Sequence, residues 1–314
     1  MRHRPLGRSG LSTAPLVFGG NVFGWTADEA TSHRLLDAFV DGGFNAVDTA
    51  DVYSAWVPGH EGGESESVIG RWLKAGGKRD KVLILTKVAM WPKQPGLSAA
   101  NIAAAVEGSL KRLQTDYIDL YQSHQDDADT PIDETLEAFD RLVKAGKVRA
   151  VGASNFSPER LKANLEASKT KGLARYETIQ PKFNLVDRDQ VEGALADLTK
   201  AEGLGIIPFY GLAAGFLSGK YRTEADFEGK ARARTILRDY WNDKGRAVLA
   251  ALDEAAADVG ASPAQVALAW IMAHPAITAP LASATSVQQL DELMSAARLE
   301  LPGDVWAKLD EAGR

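Results

Sequence analysis

The chain contains no cysteine, which removes disulfides, thiolate metal sites, iron–sulfur clusters and a thiol nucleophile together. Clustered positive charge is missing as well: 36 basic against 42 acidic residues give a net charge of −6, spread without long blocks of one sign. A nucleic-acid partner is set aside on that ground, because phosphate contacts need a concentrated basic surface. No apolar run reaches the roughly 20 residues of a membrane-spanning helix. The longest, Leu204 to Leu217, has fourteen residues broken by Gly205, Pro208, Gly211 and Gly215, and reads as a buried strand plus a loop. The basic start, Met1-Arg2-His3-Arg4, leads into Gly7, Gly10 and Pro15 rather than the apolar core of a secretion signal, so the expected location is the cytoplasm. Also lacking is a G-x-G-x-x-G turn after a strand, the fingerprint of a doubly wound nucleotide-binding sheet. Gly211, Gly215, Gly219 and Lys220 have the wrong spacing for a phosphate loop, and Tyr221 stands where that loop needs Ser or Thr.

What is present is an average composition, 45% apolar and 25% charged over 314 residues, with ample length for a large core. Short apolar or β-branched runs recur at Leu16–Phe18, Phe44–Asp48, Val82–Thr86, Tyr117–Tyr121, Val148–Gly152, Thr178–Gln180, Gly205–Pro208 and Ile277–Ala279. The first seven start 27 to 38 residues apart and the eighth 72 further on, and a βαβ step takes about 30. Between them lie stripes of helical period, such as Ile102, Val106, Leu110 and Leu113, or Leu136, Phe139 and Val143. Ser157-Pro158 and Ser262-Pro263 read as an N-cap followed by a first-turn proline. Another helix is expected over Val287–Ala297, and the last interval leaves room for a long loop around Ser218–Asn242, a helix, and a second helix from Pro263. Eight strands alternating with helices predict a (β/α)8 TIM barrel over residues 1–314, one domain with no dividing linker.

In such a barrel the working residues sit at the C-terminal ends of the strands. There the sequence places Asp48 and, five residues on, Tyr53; then Thr86-Lys87; Ser123-His124; Ser154-Asn155; Gln180; and Phe209-Tyr210. Singly, an Asp or Lys closing a strand is most often a solvated loop residue. Converging on one rim, Asp48, Tyr53, Lys87 and His124 make a coherent chemical group. A phenol with a pKa near 10 exchanges protons poorly at neutral pH, and an ammonium beside it favours the phenolate. Asp48 would hold Lys87 charged and in place, and His124 would bond a carbonyl oxygen or share the proton. No Ser-His-Asp nucleophile and no set of metal ligands accompanies them. A tuned acid facing a carbonyl suits a reaction in which oxygen gains a proton while its carbon gains hydride.

The stretch Phe44-Asn45-Ala46-Val47-Asp48-Thr49-Ala50-x-x-Tyr53, then Thr86-Lys87, then Gln122-Ser123-His124, resembles the catalytic region of the aldo-keto reductases. The likeness continues through Val151 to Phe156, Gln180 to Asn184 and Gly215 to Tyr221, and begins with an N-terminal β-hairpin at Leu6–Leu11. This resemblance implies a barrel that binds NADPH or NADH without a dinucleotide-binding fold and interconverts aldehydes or ketones with alcohols. By the same resemblance Tyr53 is the general acid or base, Lys87 with Asp48 lowers its pKa, and His124 orients the carbonyl. Ser154, Asn155 and Gln180 match residues that bond the nicotinamide carboxamide, and Phe209 an aromatic stacked on its ring. Gly20, Tyr210, Leu212 and Lys220 match cofactor-loop positions, and Ser283, Thr285, Gln289 and Glu292 the adenosine end.

Two departures from the family pattern stand out. No cation lies between Pro280 and Ala296, where the family usually places an Arg or Lys on the 2′-phosphate. A phosphate dianion without a charge-assisted partner loses much of its advantage, which leaves NADH as open as NADPH. An extra loop spans 54–63. Trp25, Trp56 and Trp91 fall in segments after strands and are candidates for a substrate pocket that would suit sugars and aromatic carbonyls equally. The expected partner is a small carbonyl or alcohol, and the protein a monomer or small homo-oligomer. Some members resemble cofactor-binding auxiliary subunits of membrane channels, so a redox sensor with little turnover is the alternative reading.

Overall fold

The computed structural model describes residues 1–230 and 232–314. Its eight parallel strands are β1 (Val17–Gly19), β2 (Ala46–Asp48), β3 (Leu83–Val88), β4 (Ile118–Ser123), β5 (Val148–Ser154), β6 (Tyr176–Gln180), β7 (Gly205–Ile206) and β8 (Leu281–Ala282). They pair in chain order, with β8 beside β1. The remaining seam closes through the Thr278 N–H on the Ile206 carbonyl and the Leu281 N–H on the Pro208 carbonyl, both 2.8 Å. Pro208 and Pro280 offer no N–H, so few bonds cross this seam. The result is a (β/α)8 barrel. The eighth strand departs from the sequence expectation of Ile277–Ala279. Thr278 and Ala279 donate to Ile206, but β1 is first engaged by the Pro280 carbonyl, so pairing on both sides begins four residues later.

The helices are α1 (Glu29–Asp41), α2 (Glu64–Gly76), α3 (Ala99–Leu113), α4 (Ile132–Lys144), α5 (Pro158–Lys171), α6 (Ala194–Glu202), α7 (Ala233–Asp239), α8 (Asp243–Val259), α9 (Pro263–Ala273), α10 (Val287–Ala296) and α11 (Gly303–Ala312). The Ser157 hydroxyl accepts the Arg160 N–H and opens α5; Ser262 accepts from Gln265, whose side chain answers onto the Ser262 N–H, and opens α9. The expected stripe of α3 is buried along its whole length. Two elements are not foreseen in the sequence: α7, inside the loop expected over 218–242, and α11, which docks by Val305 and Leu309. None of the described helices is long and apolar enough to cross a membrane.

Inside the barrel, side chains stack in two layers of opposite character. Alternation along each strand turns Val17, Ala46, Leu85, Leu120, Ala150 and Ile207 inward as an apolar floor. From below, Leu6 and Leu11 of the N-terminal hairpin, whose arms Arg4–Pro5 and Ser12–Thr13 pair antiparallel, plug that floor. Burying one such leucine is worth roughly 1.5–3 kcal/mol. The same alternation, two residues further along, turns Asp48, Lys87, Gln122 and Gln180 into the layer above.

Candidate active site

Asp48 is the centre of that upper layer. Its Oδ2 accepts from Lys87 Nζ at 2.5 Å, and its Oδ1 from Gln122 Nε2 at 3.2 Å and Gln180 Nε2 at 3.0 Å. Lys87 Nζ also donates to the Thr49 carbonyl at 2.8 Å and reaches the Tyr53 hydroxyl at 3.3 Å. The three donors of the ammonium are thereby aimed at three fixed oxygens. With Lys87 0% and Asp48 1% exposed, this pair is shielded from solvent and from salt.

Tyr53 leaves β2 through a turn in which its N–H bonds the Ala50 carbonyl at 3.2 Å. Its ring lies edge-on to His124, with centroids 5.8 Å apart, and to Trp56 at 5.5 Å; Trp25 meets Trp56 at 5.8 Å. Asp48, Tyr53, Lys87 and His124 thus come together from β2, its loop, β3 and the end of β4. Trp56 and Trp25 form an aromatic wall over the phenol. Trp91 does not join them: its indole N–H donates to the Glu61 carbonyl at 2.8 Å and its ring lies against Arg112, 5.2 Å from the guanidinium carbon. It pins the 54–63 loop, whose base is tied by Glu64 accepting the backbone N–H groups of Ser54, Glu61 and Gly62 at 2.7–3.0 Å.

The electrostatics qualify the simple expectation for Tyr53. Burial raises its pKa above the ordinary phenol value; Lys87 opposes this, but Asp48 adds to it. Lys87 therefore favours the phenolate as expected, whereas Asp48 works in the opposite sense, because its charge offsets that of the ammonium. Burial works against the charge on Lys87, yet Asp48 and Tyr53 outweigh it and hold the ammonium above the usual lysine range. His124 is driven well below the ordinary imidazole value, first by burial and then by Lys87, so it is neutral at pH 7. Its carbonyl accepts from Asn155 Nδ2 at 2.9 Å, and its buried Nδ1 has no partner among the described residues. A neutral imidazole of this kind can donate one hydrogen bond to a carbonyl oxygen without acidifying the site.

Residues suited to a nicotinamide dinucleotide ring this rim. Gln180 and Asn155 commit their amide N–H groups to Asp48 and to the His124 carbonyl, so each presents its amide oxygen as an acceptor. Ser154 is differently used: its hydroxyl donates to the Gln180 carbonyl at 2.9 Å and supports the rim. Phe209 is half-buried with Tyr210 edge-on at 5.5 Å. Beyond them, Tyr210, Ala213, Ala214 and Gly215 take positive φ (62°, 49°, 59° and 95°), curling the chain into a concave turn with Leu212 inside it. Lys220 Nζ would lie 3.8 Å from a Cβ at Gly215, folded over that turn. Burial lowers the pKa of Lys220, and Arg232 and Lys230 lower it further, while Glu292 pulls it up. Lys230, Arg232 and Glu292 thus all lie within electrostatic reach of Lys220, and Glu292 belongs to the wall formed after β8. On that wall Ser283 donates to Asn21 Oδ1 at 2.7 Å, Thr285 bonds Gln289 Oε1 at 3.0 Å, and Glu292 accepts from Ser262. Gly20 packs under Asp48, where a Cβ would come 3.0 Å from the Asp48 carbonyl oxygen.

Two groups of functional weight escape a reading by strand ends. Gln122 is inward-facing by the same alternation as Lys87, a signal the sequence does hold. The other is a buried network on the outer side of the strands. Glu66 of α2 accepts Thr86 Oγ1 at 2.6 Å and Arg112 Nε at 2.7 Å, from β3 and α3. Gly63 is required beside it: φ is +85°, and a Cβ would meet Arg112 Cδ at 2.4 Å. Asp51 and Tyr121 are buried beside this network without bonding into it among the described residues.

A parallel barrel with a buried lysine–carboxylate pair behind a tyrosine at its strand ends is the architecture to set beside known families. Residues 15–314 match the model of the Aldo/keto reductase family, and the chain belongs to that family of NAD(P)H-dependent oxidoreductases. It is 38% identical to the "Uncharacterized oxidoreductase YrpG" of Bacillus subtilis (strain 168), over 99% of this chain and 95% of that protein. Identity is 36% to the "Aldo-keto reductase YhdN" of the same organism, over 91% of this chain and 83% of that protein. It is 32% to the "Probable voltage-gated potassium channel subunit beta" of Oryza sativa subsp. japonica, over 94% and 91%.

Proposed function

We propose that this protein, working as one barrel domain, interconverts aldehydes or ketones with alcohols, with Tyr53 giving the proton in reduction and taking it in oxidation. The observation that carries this reading is the placement of Lys87 Nζ on Asp48 at 2.5 Å and on the Tyr53 hydroxyl at 3.3 Å. In reduction the phenol releases its proton to the substrate oxygen, and the adjacent ammonium stabilises the phenolate left behind. Asp48 keeps the ammonium in place, and Gln122 and Gln180 keep Asp48 in place. Neutral His124 donates to the substrate oxygen and fixes the carbonyl toward Tyr53, while Trp56 and Trp25 wall off the apolar side. Asn155, Gln180, Phe209 and the turn over 210–220 would hold NAD(P)H, which when bound would supply the hydride. The Tyr53→Phe variant should lose roughly 10²–10⁴-fold in kcat on a generic aldehyde, the usual worth of a general acid. It should still quench and shift the fluorescence of added NADPH. Wild-type kcat in that variant would remove Tyr53 from the mechanism.

The cofactor is expected to be either nucleotide, with a small margin for NADPH. The loop after β8 offers no cation, but Lys220 has Lys230, Arg232 and Glu292 all within electrostatic reach. Titration of both nucleotides should give affinities within about a hundredfold, and a preference of some thousandfold, about 4 kcal/mol, would overturn this. The relatives whose printed names are potassium channel β subunits favour a second reading, a cofactor-binding auxiliary subunit. It expects stable copurification with a membrane protein and negligible turnover over a broad carbonyl panel.

A further inference from the structure

Behind Tyr53, on the outer side of the barrel wall, lies a carboxyl that the mechanism does not use. Asp51 is fully buried, and among the described residues neither of its oxygens makes a well-formed hydrogen bond, the Val52 amide exerting only a weak pull. Its backbone N–H is fastened to the Lys87 carbonyl at 3.2 Å, so its place is fixed relative to the lysine that serves Tyr53. The groups around it come from four elements: Glu66 of α2, Arg112 of α3, Lys87 of β3, and Tyr121 of β4, whose buried hydroxyl is also unpartnered. Tyr121 stands beside Thr86 in the sheet register, and Thr86 bonds Glu66, so phenol and carboxyl share one compartment. Charge in that compartment is unequal. The one guanidinium, Arg112, is already bonded to Glu66, and Lys87 is bonded to Asp48, so among the described residues Asp51 has no cation of its own. A second buried carboxylate beside Glu66 is disfavoured by desolvation and by like charge together.

We propose that Asp51 is a positioning residue for proton transfer, a buried neutral acid behind Tyr53 that on losing its own proton tightens the hold of Tyr53 on the phenolic one. This rests on the reading of Tyr53 given above. Burial and then Glu66 push the Asp51 carboxyl up to about 8, against the pull of Arg112, the Val52 amide and Lys87. Asp51 in turn raises the Tyr53 hydroxyl, alongside Asp48 and against Lys87. As the pH climbs past 8, the new charge delays ionisation of Tyr53 and extends reduction into alkaline solution.

The test compares wild type with Asp51→Asn, a near-isostere that cannot ionise. The kcat/KM for reduction of an aromatic aldehyde is followed from pH 6 to 10, each profile normalised to its own maximum. The alkaline fall of the variant should lie about one pH unit below that of wild type, the size of a close charge–charge coupling. A fall that stays in place or moves upward overturns the coupling. A second measurement needs no variant activity: the infrared carbonyl stretch of a protonated carboxylic acid should be present in the wild-type protein at pH 7 and vanish as the pH passes 8. Its absence at pH 7 overturns the neutral acid even if Asp51→Asn does not fold. Tyr53→Phe separates the two readings. If it keeps turnover, the proton donor is wrong; if it is inactive while the Asp51→Asn profile matches wild type, only the role of Asp51 falls.

Discussion

Two buried carboxylate clusters lie back to back across β3, and they differ in charge balance. Inside the barrel, one carboxylate, Asp48, meets one ammonium, Lys87, and two amides complete its shell. Outside, two carboxyls, Asp51 and Glu66, share one guanidinium, Arg112. The first arrangement balances one charge against one and is hydrogen-bonded on both carboxylate oxygens. The second carries one acid more than it can neutralise, and among the described residues leaves that acid without a well-formed hydrogen bond. Alternation along a single strand, Thr86 outward and Lys87 inward, joins the clusters and keeps them apart.

Breaking the inner pair should cost most. Lys87→Met leaves Asp48 charged and buried with only amides for company, a loss of about 3–5 kcal/mol in urea unfolding, together with the loss of turnover. Truncating the floor beneath it, Leu85→Ala, should cost about 3 kcal/mol, and with the polar layer intact should leave the pH profile of turnover unchanged in shape. The pH dependence of stability sharpens the contrast further. The Asp51 carboxyl is raised to about 8 in the folded protein, whereas the unfolded chain releases that proton near 4. The folded state thus binds the extra proton between those values, and stability declines as the pH rises through that window. Lys87, held above the usual lysine range, gives a contribution retained until the solution is strongly alkaline. Thermal unfolding from pH 5 to 9 should therefore show Asp51→Asn gaining on wild type as the pH rises. A constant difference would contradict the imbalance. The smallest effect is remote from both clusters: Ser262→Ala removes the cap of α9 and a bond to Glu292, for about 1 kcal/mol.

The inner cluster was legible in the sequence and the outer one was not. Asp48, Lys87 and His124 stand at strand ends, and Tyr53 follows at a fixed distance, so topology alone brings them together. Gln122 follows from period-two alternation once the strand is placed. The outer cluster depends on helices α2 and α3 packing so that Glu66 and Arg112 meet Thr86, contacts between elements that no local pattern announces. Trp91 shows the same limit: its position after β3 matches a pocket residue, but Arg112 and Glu61 turn it toward the loop. The shift of β8 came from Pro280, whose carbonyl pairs while its nitrogen cannot. Helix α11 escaped because its buried face is marked by few residues, Val305 and Leu309 with the half-buried Trp306 stacked on Trp270.

The seam between β7 and β8 has a consequence for motion. Pro208 and Pro280 thin the ladder there, so the amides that cross it, Thr278, Ala279 and Leu281, are where the barrel should open at least cost and exchange hydrogen earliest. The loop carrying Lys220 follows one side of this seam, and the loop carrying Ser283 and Thr285 follows the other. A dinucleotide held between those loops would act as a removable staple, slowing exchange at the seam in proportion to its occupancy.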